Sequence, residues 1–197
     1  MAWLKKPTWR LVLCYLGIAI LIWFSEPTPF SAALGLVPIA AGQLLRVWAA
    51  GHLVKNKRLT TTGPYAYVKN PLYIGAITIV LGFCIVAMPP WNLTLNVSNP
   101  RVWLYVLFIA AFFLYYMPRK IKIEGDRLRR IYGEDYTRYE KAVPDMVPRL
   151  TPYRSGDTLR WTWAQTVDNS EHGTIMSLGV GLALILIMTW LRSAGIV

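Results

Sequence analysis

Five long apolar blocks, at roughly residues 9–24, 30–50, 72–90, 102–118 and 174–191, constrain this chain more than any other feature. Each is close to the ~20 residues that an α-helix needs to cross the hydrocarbon of a bilayer. Inside lipid every backbone N–H and C=O must be satisfied within the protein, which leaves helices or closed barrels. The blocks are continuously apolar instead of alternating, and that pattern predicts helices. The expected fold is all-α: one integral membrane bundle of about five transmembrane helices, with residues 1–197 forming a single domain. Aromatic residues at block ends (Trp9, Trp23, Trp48, Trp91, Trp103, Tyr115, Tyr116, Trp190) suit the membrane–water interface. The first block, flanked by Lys5, Lys6 and Arg10, looks like a secretory signal, but "SEPTPF" at its end is not a small-residue cleavage site. A retained first span is expected.

Charge sets the orientation. The chain carries 21 Lys and Arg against 10 Asp and Glu, a net charge of +11. Such an excess could suggest nucleic acid, but the basic residues flank apolar blocks, so orientation of spans explains them and no nucleic-acid partner is expected. The amino-terminal tail and the segments 51–71 and 119–172 hold nearly all of them, while the connections 25–29 and 90–101 hold only Arg101. Five spans with the amino terminus inside put every basic segment in the cytoplasm, Arg192 being the single exception. Cys14 and Cys84 both fall inside apolar blocks, and no His/Cys cluster has metal-site spacing.

Local punctuation fits these boundaries. Pro71 suits the first turn of a helix, where a missing N–H costs nothing. Pro89-Pro90 and Pro118 are expected to end the third and fourth spans. The block 30–50 is the least lipid-like, because it contains Pro38, Gln43 and Arg46. Arg46 either snorkels to the cytoplasmic surface or shares with Gln43 a face that looks into a polar cavity.

Two polar stretches carry the candidate chemistry. Laid on a helix, residues 119–132 place Ile121, Leu128 and Ile131 on one stripe, and Glu124 falls within it. A carboxylate on a buried face must be paired, so Glu124 is either a ligand-binding group or half of a structural ion pair. Gly125 borders the stripe and leaves room for close approach to the backbone. Gly133 is expected to end that helix, and "EDYTRYEKAVP" to form a short one presenting Tyr136, Tyr139 and Val143, stopped by Pro144. Those tyrosines are interface anchors or ligand contacts. The other stretch, 51–71, holds His52, Lys55 and Asn56 near the end of the second span, then the turn signal Gly63-Pro64. Both stretches follow even-numbered spans and so converge on one mouth, which makes a cavity for an amphiphile with a polar reacting head.

The lettering "GPYAYVKNPLYIG", followed about fifty residues later by "E…YGEDYTRYEKAVP…P", resembles the isoprenylcysteine carboxyl methyltransferase family, whose relatives include membrane phospholipid N-methyltransferases. The family pattern is Gly-x-Tyr-x-x-x-Arg-His-Pro-x-Tyr-x-Gly, then Glu-Glu, then Phe-Gly-x-x-Tyr-x-x-Tyr. Gly63, Tyr65, Pro71, Tyr73, Gly75, Glu124, Gly133, Tyr136 and Tyr139 match it. Lys69 takes the arginine position, Asn70 the histidine position and Gly125 that of the second glutamate. The resemblance implies S-adenosylmethionine in a cytoplasmic pocket of a multi-pass inner-membrane protein, and a lipophilic acceptor arriving from the bilayer. It implies roles in catalysis for Glu124, Asn70 and Lys69. Cofactor contacts are implied for His52, Lys55, Asn56, Tyr65, Asn70, Pro71, Tyr73, Glu124, Tyr136 and Tyr139, with no metal.

Two other readings compete. Sterol and steroid reductases share a similar architecture and an Arg-His-Pro-Tyr neighbourhood, with a nicotinamide cofactor whose phosphates Lys55, Lys57 and Arg58 could contact. A non-enzymatic protein binding anionic lipid through its basic face is the third, and it leaves Glu124 unexplained. The methyl acceptor and the oligomeric state are not readable from the residues.

Overall fold

The computed structural model describes residues 9–55, 57–87, 103, 106, 107 and 110–196. Among them all regular structure is helical: α1 (Trp9–Trp23), α2 (Pro29–His52), α3 (Pro71–Ala87), α4 (Met117–Ala142), α5 (Trp163–Asp168) and α6 (Glu171–Ser193). A 3-10 turn (Gly63–Ala66) precedes α3, and a π-helical turn (Ala111–Tyr116) runs into α4. By length and composition α2 and α6, with 24 and 23 residues, are able to cross a membrane, while the apolar α3 is shorter. Asn56, Pro89-Pro90, Trp91 and residues 102, 104, 105, 108 and 109 of the block 102–118 lie outside the described residues.

The helix starts follow from capping chemistry. Thr28 Oγ1 accepts the Ser31 N–H at 3.1 Å, Ser31 Oγ accepts the Thr28 N–H at 2.9 Å, and Pro29 occupies the first turn. Pro71 opens α3 in the same way. The other end of α2 is closed by distant chain. Trp161 Nε1 donates to Val47 O at 3.1 Å, the Thr162 N–H to Gly51 O at 3.0 Å, and Asn169 Nδ2 to Ala50 O and Leu53 O, both at 2.8 Å. The carbonyls that every helix leaves orphaned at its carboxyl end are thus satisfied by residues 161–169.

α2 and α3 pack antiparallel along a seam of two glycine pairs. A Cβ on Gly42 would sit 2.6 Å from Gly75 O, and one on Gly75 2.7 Å from Gly42 O. Gly35 and Gly82 repeat the arrangement seven residues away, at 2.6 and 2.7 Å. Lipid offers apolar helices no hydrophobic reason to associate, so close van der Waals contact of this kind holds them. Leu21, Ile39, Val86, Ala87 and Ile185 form the core where α1, α2, α3 and α6 meet.

Hydrogen bonds mark the two ends of the bundle. At one, the Glu26 N–H donates to Ala87 O and Arg192 to Ser25 O, which gathers the ends of α1, α3 and α6. At the other, Arg46 joins Glu171 and Leu72 O, gathering the end of α2 with the starts of α3 and α6.

Two features of α4 differ in how they follow the punctuation. Pro118 was expected to end a span, yet the helix passes through it. The π-helical turn immediately before supplies the reason, since a widened turn absorbs a missing N–H and the clash of the proline ring. At Gly133, by contrast, φ is 53° and the helix kinks, as a glycine carboxyl cap predicts. The second arm ends at Ala142, just before Pro144.

Candidate functional site

Three backbone hydrogen bonds stitch the two polar stretches together. The Lys69 N–H donates to Pro144 O, the Arg149 N–H to Tyr67 O, and the Tyr153 N–H to Ala66 O, at 2.9, 2.9 and 2.8 Å. Tyr139 reinforces them, its hydroxyl donating to Tyr65 O at 2.7 Å. This clamp depends on the turn at Gly63, whose φ is 58°; a Cβ there would meet the His52 ring at 2.4 Å. Between the clamped segment and α4 lies a cavity of about 970 Å³, near the upper end of the volumes that hold small ligands.

Its lining combines two chemistries. Leu53, Leu59, Leu72, Ile77, Met117, Ile121 and Leu128 give it an apolar lining, drawn from the segment after α2, from α3 and from the first turns of α4. Lys55, Arg58, Lys69, Glu124, Asp126, Arg127, Arg129, Glu140 and Asp145 give it a charged lining as well. An amphiphile and a charged small molecule would each find matching side chains there.

Nearly all of the expected site residues meet here. Lys55, Tyr65, Lys69, Asn70, Pro71, Tyr73, Glu124, Tyr136 and Tyr139 all line the cavity. His52 does not. It lies beneath Gly63 with Nδ1 at 3.2 Å from Thr62 Oγ1, so its place is inside the turn that shapes the wall. Asn56 is outside the described residues.

The charged groups are held to different degrees. Lys69, with a side chain only 7% exposed, reaches Asp145 at 3.0 Å and Glu140 at 3.8 Å. Glu140 also receives Arg129 at 2.8 Å, so its charge is shared. Asn70 Nδ2 donates to Asp145 O at 3.2 Å and to its carboxylate at 3.4 Å. Glu124 pairs with Arg127 at 3.1 Å but keeps 32% of its side chain exposed, less enclosed than its place on an apolar stripe implied. Ile131, expected on the same stripe, is exposed. Gly125 is buried in the wall, and the nearest atom to a Cβ there would be the Tyr136 hydroxyl at 3.5 Å. Burial, with Glu140 and Asp145 behind it, pushes Tyr136 up to about 12, and burial pushes Tyr139 further still. Both phenols are neutral hydrogen-bonding groups at any working pH. Glu140 and Asp145 are wall residues that the sequence reading did not single out.

The phospholipid methyltransferase family model matches residues 30–135, more than half of the chain. The chain belongs to that family. It is 29% identical over 157 residues to the nickel-cobalt-cadmium resistance protein NccN of Alcaligenes xylosoxydans xylosoxydans, covering 76% of this chain and 67% of that one. To the protein-S-isoprenylcysteine O-methyltransferase of Schizosaccharomyces pombe it is 30% identical over 153 residues, 72% of this chain and 58% of the other. To the steroid 5-alpha-reductase DET2 of Solanum lycopersicum it is 29% identical over 116 residues, 56% and 40% of the two chains. No solved structure matches. In this phospholipid methyltransferase family member the matched stretch runs from α2 to just past the α4 kink. It therefore includes Lys69, Asn70 and Glu124, while Tyr136, Tyr139, Asp145 and all of α6 lie beyond it.

Proposed function

We propose that this membrane methyltransferase moves a methyl group from S-adenosylmethionine to a lipophilic acceptor drawn from the bilayer, most simply a carboxylate such as that of a prenylated cysteine. The observation that carries the reading is the mixed cavity: one volume lined by both apolar and charged side chains, in a chain of this family. The donor set fits the cofactor. Glu124, accessible and paired with the exposed Arg127, suits the cofactor's hydroxyls or ammonium; Lys69 suits its carboxylate. Bound there, S-adenosylmethionine supplies an electrophilic methyl on a sulfonium. The chain's part is to hold both reactants in line and to keep water out, and alignment alone is worth several kcal/mol of barrier, on the order of 7–11 in the best cases. Tyr136 and Tyr139 offer neutral hydroxyls and wall off the site. A carboxylate or thiolate acceptor already has its lone pair, so no side chain need remove a proton.

The Lys/Arg load of 51–71 and 119–172 supports a cytoplasmic mouth in a multi-pass inner-membrane protein. Cysteines placed at Lys57 and Arg154 should both be protected from an impermeant reagent added outside sealed cells; labelling of either would sink this orientation.

A reductase reading draws on the likeness to DET2 and on Lys55 and Arg58 in the cavity wall, which could meet cofactor phosphates. Calorimetric titration of the solubilised protein with S-adenosylmethionine and NADPH separately tests both. Binding of the first alone is expected; binding of NADPH alone would replace the methyl-transfer reading.

A further inference from the structure

Arg46 of α2 reaches two other helices at once. Its Nη2 donates to Glu171 Oε1 at 2.7 Å and its Nε to Oε2 at 3.1 Å, which ties it to the first residue of α6. Its Nη1 donates elsewhere, to Leu72 O in the first turn of α3, at 3.2 Å. Gln43, one turn earlier on α2, sends Nε2 to the same carboxylate at 3.4 Å. Both members of the ion pair are largely withdrawn from water, so solvent competes little for these bonds.

The route to Leu72 depends on a glycine. The stem of Arg46 passes α3 at Gly75, where a Cβ would stand 2.5 Å from Arg46 Cγ and 3.4 Å from Cδ. Any side chain at that motif position would push the arginine off its course. Gly75 thus serves two close approaches, one to the backbone of Gly42 and one to Arg46.

Joining α2 to α6 does not by itself call for charge. A well-packed apolar pair of the same volume holds two helices as well as a buried ion pair, and often better, because no ion loses its hydration. What an apolar pair cannot supply is a donor for a backbone carbonyl. The guanidinium can, because its planar fork grips a carboxylate along one edge and leaves Nη1 for another acceptor. The carbonyl it finds lies within the segment 69–73, every residue of which lines the cavity.

We propose that Arg46, oriented by Glu171, positions the cavity-lining segment 69–73 for methyl transfer by holding the Leu72 carbonyl. This rests on the methyl-transfer reading. Arg46 and Glu171 are positioning residues, since neither lines the cavity. Through them α6, which lies beyond the family match, enters the geometry of the site. A small loosening is enough to matter, because a misplacement of about 1 Å costs on the order of 100-fold in rate.

The test separates stability from turnover. In the full chain, Arg46→Met with Glu171→Leu removes both charges and keeps an apolar contact between α2 and α6, but leaves no donor for Leu72 O. Three quantities are read: ligand-free melting temperature, amide hydrogen exchange at the start of α3, and kcat for an N-acetyl S-prenylcysteine at saturating S-adenosylmethionine. The expected results are a melting temperature close to the parent's, faster exchange in α3, and a kcat lowered roughly tenfold or more. A kcat that returns together with the melting temperature would overturn the proposal, because a purely structural pair is restored by any good packing. So would exchange no faster than the parent's. Arg46→Lys covers a double variant that fails to regain stability. It keeps a charge for Glu171 and gives up the planar fork, so kcat should fall here too, and a kcat equal to the parent's would overturn the proposal. If the parent protein methylates no prenylcysteine, the functional reading fails separately. Ligand-free exchange then decides the grip on α3: faster in the variants upholds it, and unchanged removes it.

Discussion

Arg46–Glu171 and Arg127–Glu124 are the same chemical pair in opposite settings. The first joins two helices 125 residues apart in the chain, with side chains 18% and 3% exposed. The second spans one helical turn of α4, with 45% and 32% exposed. Water screens the α4 pair, and such exposed pairs contribute about 0–1 kcal/mol. Exchanging Arg127 for a ligand would therefore cost Glu124 little. Glu171 has no such freedom. Its carboxylate has lost most of its hydration, and Arg46, Gln43 and the geometry of α6 replace it. The comparison teaches that a carboxylate's usefulness to a ligand lies in how loosely the protein holds it, not in how deeply it is buried.

The largest effect that would break this contrast is on stability. Glu171→Gln leaves Arg46 charged and unpaired beside the bundle, and should cost about 3–5 kcal/mol, read as an early thermal transition in detergent. Arg127→Ala, which removes the exposed pair, should change stability by less than about 1 kcal/mol. Replacing both members of the buried pair, Arg46→Met with Glu171→Leu, should recover most of the loss, because desolvation of both charges is relieved at once. Equal small losses for Glu171→Gln and Arg127→Ala would show that the two pairs share one environment and dissolve the distinction.

How far the chain could be read from its residues follows the same division. α2 and α6 were visible as apolar blocks to within a few residues, as was the start of α3 at Pro71, because continuous hydropathy and capping are local properties. So was the meeting of the two polar stretches at one cavity, since their order along the chain places both on the same side. Less local features were not readable. Gln43 and Arg46 stood out as misfits in an apolar block, but their partner Glu171 sits in an unremarkable "SEHG" before another block. A signal existed: by topology both lie at the same end of the bundle, and opposite charges at one depth invite pairing. Pro118 misled for another reason, because a π-helical turn carries the helix past a residue that usually stops it. The Tyr65 hydroxyl, buried and without a hydrogen-bond partner among the described residues, has no sequence signal at all, being defined by what its neighbours fail to supply.

A smaller effect would sharpen the loose half of the contrast. Glu124→Gln keeps the shape and removes the charge. It should weaken S-adenosylmethionine binding on the order of tenfold, the worth of one charge-assisted hydrogen bond, while the melting temperature shifts little. A variant that binds the cofactor as tightly as the parent in calorimetry would return Glu124 to a structural partnership with Arg127.

The smallest expected effect is at Asn70, where a neutral side chain stands among charged ones. Its amide donates to the Asp145 carbonyl at 3.2 Å and to the carboxylate at 3.4 Å, so in the free protein it ties two residues of the cavity lining together. The family's histidine at this position could be a proton-transfer base or a neutral hydrogen-bonding group. An amide does not titrate, so only the second role is open to Asn70, and a neutral imidazole performs it equally well. Asn70→His should then retain substantial methyl transfer at pH 8, where the ring is uncharged. Asn70→Leu, of similar size but without polar atoms, should lower cofactor affinity by about 1 kcal/mol, less than Glu124→Gln because no charge is involved. Affinity and turnover of both variants in one detergent decide the matter. Equal cofactor affinity in the leucine variant and the parent would confine Asn70 to holding Asp145. Loss of turnover in the histidine variant with binding intact would show that the position needs an amide's geometry, and would move the contrast from charge to shape.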